Sequence, residues 1–200
     1  MQTGEKEQRR NSIVAEKGRE VRMLKGEKVY LKLIEEKDLE KRVEWINDPQ
    51  IQNTLNYDIP TSLAKTRAWF QKILLDSSRR EFSIFTVEGD QYIGFCGLFD
   101  IKVPVMKAEL HCVIGDRNYQ SGGYGTEAYS LLQDYGFQEL GLHRIYGYQL
   151  EHNAAAHGVV EYLGWKREGL LRNDLFSHGT LKNRYLVSII REDWEKNKNL

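Results

Sequence analysis

Two stretches of the sequence combine residue types that could do chemistry with a spacing that would let them act. The first is Gln120-Ser121-Gly122-Gly123-Tyr124-Gly125-Thr126. A strand-like segment precedes it and a helix-like segment follows. Unpaired backbone N–H groups at such a helix start converge on an anion, the positive end of the helix dipole adds to their pull, and glycines let the anion approach. Ser121 and Thr126 add hydroxyl donors, and the loop contains no Lys or Arg. It lacks the Gly-Lys-Ser/Thr ending of a P-loop, and no second glycine loop is followed by an acidic residue at ribose distance, so nucleoside triphosphates and dinucleotides are disfavoured. A tight turn without a ligand is the plain alternative.

The second stretch is the strand that feeds this loop. Alternation puts Ala108, Leu110, Cys112 and Ile114 on one face and Glu109, His111 and Val113 on the other. Glu109 is the candidate general base, with an exposed carboxylate or structural ion pair as its alternative. His111 could relay a proton, but a lone histidine inside a strand reads first as hydrogen-bonded structure. Asn153 precedes a helix-like segment and is a natural N-cap. Arg172 and Asp174 could approach the acceptor but read first as surface charges.

The elements that must position these residues follow from periodicity. Val29 to Leu33 alternates as a strand, and Leu39, Val43, Trp45 and Ile46 follow at helical spacing until Asp48-Pro49. Thr61-Ser62 caps a second helix carrying Ala68, Trp69, Phe70, Ile73 and Leu74. Strands are predicted at 82–87, 92–99 and 108–114, a helix at 124–137, a strand at 144–150 and a helix at 153–163. Two last strands, 165–176 and 181–190, flank the turn His178-Gly179-Thr180. The expected order is β-α-α-β-β-β-α-β-α-β-β, an α/β chain with a mixed sheet (α+β). Residues 1–26 mix charges without a sustained period and are expected to be a flexible leader, with one domain over 27–200.

At 200 residues, 40% apolar and 29% charged, the chain can bury its own core. Lys+Arg and Asp+Glu both number 29, so no overall basic field exists for nucleic acid. No apolar run is long enough for a membrane span or a secretory signal, and a cytoplasmic protein is expected. Cys96 and Cys112 lie in separate apolar stretches without metal-ligand spacing, and read as small buried hydrophobes.

The loop resembles the Gln/Arg-x-x-Gly-x-Gly/Ala signature of the GNAT superfamily of acetyltransferases. The likeness extends through Thr126-Glu127-Ala128, Tyr135-Gly136-Phe137, Leu142-His143-Arg144-Ile145, Asn153, Leu163-Gly164-Trp165 and Glu168-Gly169. Their order is similar to that in the subgroup of ribosomal-protein N-terminal acetyltransferases, and Trp45-Ile46-Asn47-Asp48-Pro49 resembles that subgroup's substrate-side helix and loop. The resemblance covers about residues 29 to 194.

The resemblance implies the GNAT fold, a strongly bent mixed sheet whose central strands splay apart, with acetyl-CoA as co-substrate in the opening. Gln120, Ser121, Gly122, Gly123, Tyr124, Gly125 and Thr126 would hold its pyrophosphate. Val113, Ile114 and Gly115 would line the strand edge along which the pantetheine arm lies, and Asn153 would contact CoA. Glu109 would act on the acceptor amine, through water, and a backbone N–H near Ile114 would stabilise the oxygen of the attacked thioester. Relatives assist departure of the thiolate with a hydroxyl three or seven residues after the Asn, positions held here by Ala156 and Val160, while Tyr162 should face elsewhere. Water, unaided departure or another residue remain open, and a non-catalytic acyl-CoA sensor is the alternative function. The acceptor would be a small-molecule amine or a protein N-terminus, attacked directly in a ternary complex. A homodimer is expected by analogy with the fold.

Overall fold

The structure is a computed structural model. It describes the backbone of residues 13–16 and 19–22 and all of residues 24–54 and 59–198. Most of the leader expected over 1–26 lies outside the described residues. Within it, β1 (Ile13–Glu16) and β2 (Arg19–Arg22) pair antiparallel. β3 (Leu24–Lys25) pairs with β4 (Val29–Leu33), and Leu24 is buried in the core.

After β4 come α1 (Leu39–Asn47), α2 (Pro49–Gln52) and α3 (Leu63–Ile73), then β5 (Arg80–Thr86), β6 (Tyr92–Lys102) and β7 (Lys107–Ile114). α4 (Tyr124–Gln138), β8 (Arg144–Leu150), α5 (Ala154–Tyr162), β9 (Lys166–Ser177), β10 (Thr180–Ile190) and α6 (Arg191–Lys198) complete the chain. The predicted element order is present, with five additions, the β1–β2 pair among them. Asp48 caps α2 by accepting the Gln50 N–H at 2.9 Å, with Pro49 in its first turn, so the segment expected as loop makes one helical turn. β3 adds an edge. α6, with sequence REDWEKNK, shows no apolar period; it is held by Trp194, which packs on Phe137 and donates to Asp134 at 2.8 Å.

Strands β3 to β10 form one eight-stranded mixed sheet in the order β3-β4-β5-β6-β7-β8-β10-β9, and β1 and β2 form a two-stranded sheet of their own. The alternation read from β7 assigns the two faces correctly. Ala108, Leu110, Cys112 and Ile114 belong to the larger core with Leu131, Leu132 and Phe137 of α4. Val113 packs on the opposite face with Trp45, Ile46, Ile51 and Phe95. α4 therefore covers one face and α1 the other. Gly115 marks how closely α1 approaches: a Cβ there would stand 2.0 Å from the Trp45 ring.

β7 and β8 are the parallel neighbours at the centre. They pair only through Lys107↔Arg144, Ala108↔Ile145 and Glu109↔Tyr146. Beyond that point β7 stays with β6 as far as Ile114↔Gly94, and β8 stays with β10 as far as Leu150↔Arg184. Each strand follows its antiparallel partner, so the sheet opens in a V between them. Among the described residues no helix is long and apolar enough to cross a membrane.

Candidate active site

The V exposes backbone. Gly115 N–H donates to Ile93 O at 2.9 Å across the β6–β7 ladder. Antiparallel alternation then turns the backbone groups of Ile114, Cys112 and Leu110 toward β8. Consistent with this, the Leu110 carbonyl lies 3.1 Å from the place a Cβ on Gly147 would take. Where β8 has diverged, the N–H groups of Cys112 and Ile114 face the gap.

The loop at the mouth of the V is shaped for an anion. Ser121 has φ 67 and Gly123 has φ 82, left-handed values that aim successive N–H groups to one side. Gly123 is the N-cap of α4 and offers no side-chain cap, so the first N–H groups of the helix remain available. Gln120 Nε2 donates to Ile114 O at 3.0 Å, fastening the loop to the end of β7. Behind it, the Glu127 carboxylate accepts the N–H groups of Glu27, Lys28 and Val29 at 2.9, 2.7 and 2.7 Å, and Lys28 Nζ donates to Gly122 O at 2.9 Å. The start of β4 thus braces the anion loop, a link the sequence did not reveal because about a hundred residues separate the partners.

Two cavities meet at the V. The one on the loop side has a volume of about 590 Å³ and is walled by Val113, Ile114, Gln120, Ser121, Gly123, Gly125, Thr126 and Asn153 among others. Of the residues predicted for this role, Gly115, Gly122 and Tyr124 do not reach the wall. Gly115 is covered by Trp45, and the Tyr124 ring packs edge-on against Tyr119. Asn153 has the expected capping bond, its side chain accepting the Ala156 N–H at 3.1 Å.

The cavity on the α1 side has a volume of about 470 Å³ and contains Glu109. Burial pushes the Glu109 carboxyl up to about 7; Asp100 adds to the rise, while Arg184 and Arg79 oppose it. His111 also lines this cavity, but its Nε2 sits 3.1 Å from both Glu81 oxygens. Glu81 is 3% exposed. Burial alone would raise its carboxyl, but His111, Arg42 and Arg79 outweigh it and hold the group down at about 2. His111 is therefore part of a buried ionic cluster, as a strand histidine should be. Arg172 is not at either wall, and Asp174 is paired with Arg184.

Thr54, Cys112, Val113, Tyr129, Asn153 and Ala156 border both cavities and so mark their junction. Tyr129 projects from α4, its hydroxyl 3.9 Å from the place a Cβ on Gly147 would take, at the vertex of the V. Burial raises its phenol well above the usual range, so it is a neutral O–H donor. In the sequence Tyr129 was one more position on an amphipathic helix, without a motif to single it out.

Residues 28–166 match the family described as the acetyltransferase (GNAT) domain, more than half of the chain. The chain belongs to the GNAT acetyltransferase family. It is 29% identical over 171 residues to the uncharacterized N-acetyltransferase p20 of Bacillus licheniformis, covering 84% of this chain and 96% of that protein. It is 29% identical over 125 residues to the spermidine N(1)-acetyltransferase of Escherichia coli K12, covering 62% of this chain and 66% of that one. Among solved structures, the spermidine N-acetyltransferase from Vibrio cholerae in complex with CoA and spermine has a TM-score of 0.79 at 23% identity, over 84% of this chain and 98% of that one. The GNAT fold expected from the loop motif is present.

As a GNAT enzyme the chain transfers an acetyl group from acetyl-CoA to an amine. The cleft fits such a co-substrate on its own geometry: an uncapped helix start for the phosphates, and an unpaired strand edge for the amide groups of the arm. The GNAT positions that usually bear a hydroxyl hold Ala156, at the junction, and Val160, 5% exposed and in the core. Tyr162 is 81% exposed and borders neither cavity, as its helical phase predicted.

Proposed function

We propose that acetyl transfer in this chain runs by direct attack of a primary amine in a ternary complex, with Glu109 taking the proton from the amine. The observation that carries this reading is the meeting of two cavities at the V, one walled by the anion loop and the other containing Glu109. An unperturbed alkyl ammonium has a pKa of about 10, so it must be deprotonated before it attacks. A carboxylate raised to about 7 is a better proton acceptor than an ordinary one and is still largely ionised at slightly alkaline pH. The N–H groups of Cys112 and Ile114 are aimed where negative charge develops on the thioester oxygen.

The loop residues Gln120, Ser121, Gly123, Gly125 and Thr126 hold the pyrophosphate, and Val113, Ile114 and Asn153 border the arm. Tyr129 supplies the hydroxyl that Ala156 and Val160 lack, donating a hydrogen bond to the departing thiolate. The acceptor is a small-molecule amine or a protein N-terminus. The reading includes a cytoplasmic location, in keeping with the free thiols of Cys96 and Cys112, which face each other across β6 and β7 without a disulfide. It also includes a homodimer, for which the edge strand β9, with Phe176 70% exposed, offers an unpaired ladder.

Calorimetric titration with acetyl-CoA, followed by a panel of amines and short peptides assayed for free thiol, tests the proposal. Saturable binding with thiol release on an acceptor is expected. Binding without release across the panel would favour an acyl-CoA sensor, the reading that Ala156 and Val160 support. No binding would overturn both.

A further inference from the structure

The α1-side cavity has a charge balance ill suited to a polycation. Among the described residues its walls carry Arg42, Lys65, Arg79 and Arg184, against the single carboxylate of Glu109. Part of this charge is matched by groups behind the wall. Arg79 Nη1 donates to Glu81 at 2.9 Å and Arg42 Nη2 lies 3.7 Å from it, while Arg184 Nε donates to Asp174 at 2.6 Å. These pairs fix the guanidiniums without consuming them. Arg79 gives one Nη to Glu81, and Arg184 gives Nε and Nη2 to Asp174, whereas a guanidinium carries five N–H donors.

Aromatic rings complete the positioning. Arg79 lies over the Phe99 ring at 4.8 Å and Arg184 over the Tyr148 ring at 4.5 Å, so each guanidinium is held against an aromatic ring. Both charges act on the Glu109 carboxyl. A ligand whose amine faces Glu109 therefore shares its cavity with two guanidiniums. For spermidine, or any amine with further ammonium groups, that neighbourhood is repulsive. For an amine that brings its own carboxylate, the same neighbourhood supplies charge-assisted donors.

We propose that the acceptor is an amino acid, a primary amine with a carboxylate close to the nitrogen, held by Arg79 and Arg184 while its amine faces Glu109. The proposal rests on the reading of the chain as an N-acetyltransferase with Glu109 as base. The nitrogen bonds to the acetyl carbon and the carbon–sulfur bond breaks. Of the two protons the ammonium sheds, one leaves through Glu109 and the other ends on the CoA thiol.

The test is thiol release by the full chain with free amino acids, the same amino acids as carboxamides, and spermidine, alongside calorimetry with acetyl-CoA. The acids should exceed their amides in kcat/KM by roughly 10- to 100-fold, the size of a charge-assisted hydrogen-bond contribution. Arg79→Gln and Arg184→Gln should lower the acid-to-amide ratio of kcat/KM by a similar factor, a selectivity that neither general unfolding nor the accompanying rise of the Glu109 carboxyl would produce. Amides or spermidine used as well as the acids would overturn the proposal. Acetyl-CoA binding without turnover of any amino acid would overturn it too, leaving the transferase reading in place. Failure to bind acetyl-CoA would remove the reading on which the proposal rests.

Discussion

In the proposed mechanism Glu109 takes a proton and Tyr129 donates a hydrogen bond, and their environments suit these opposite tasks. Glu109 keeps its carboxyl near neutrality because burial outweighs the two arginines beside it. Only its ionised form accepts a proton, so kcat/KM should rise with pH through about 7 and then level off. Glu109→Gln should lower kcat by ~10²–10⁴-fold, remove that rise, and leave acetyl-CoA affinity intact. An unchanged pH profile in the Gln variant would take Glu109 out of the chemistry. Tyr129→Phe keeps the ring that packs edge-on against Trp165 at 5.5 Å and removes only the hydroxyl. Losing one donor to a developing anion should cost roughly 10-fold or more in kcat with little change in KM. That loss should shrink with an acyl donor whose leaving thiol is more acidic; equal loss with both donors would exclude a role at the sulfur.

At the scale of elements, the decisive device is the junction of β7, the anion loop and α4. Gly123 holds φ 82, a backbone state that costs a residue with a Cβ about 1–2 kcal/mol, and its Cα faces the Lys28 ammonium, 3.2 Å from where a Cβ would be. Gly123→Arg should leave a folded chain that no longer titrates with acetyl-CoA. Retained affinity in that variant would contradict the loop assignment. Strand–loop–helix succession was legible because glycine, helical period and strand alternation are all local. The brace from β4 was not: Glu127 entered only as one residue of the resemblance, and only the fold brings the N–H groups of residues 27–29 to it.

For the molecule as a whole, the cleft is a gap in the middle of the sheet, spanned by the loop and by Asn153 at the start of α5. A ligand that fills it joins the two halves of the sheet beyond the three residue pairs that hold them at the vertex. Acetyl-CoA at about 100 times its Kd should add about 2.7 kcal/mol of stability, a rise in Tm of roughly 5–10 °C for a chain of this size. Spermidine alone should give no such rise. Thermal scans with each ligand decide this, and a chain indifferent to acetyl-CoA would not have the cleft described.

The alternation of residues 108–114, the caps at Ser62 and Asn153 and the glycine loop were fixed by neighbours a few residues apart, and the sequence alone determined them. With them came the element order, the GNAT resemblance and the candidacy of Glu109. It was also enough to reject Tyr162, whose helical phase is a local property. Three things were decided only by tertiary contacts. Trp194 creates α6 from a charged segment by finding Phe137 and Asp134 some sixty residues away. Tyr129 acquires its place at the vertex because β7 and β8 part there. Arg79 and Arg184, distant in sequence, come to line one cavity with Glu109. A side chain's charge is written in the sequence; the charge it faces is set by which strands the fold makes neighbours.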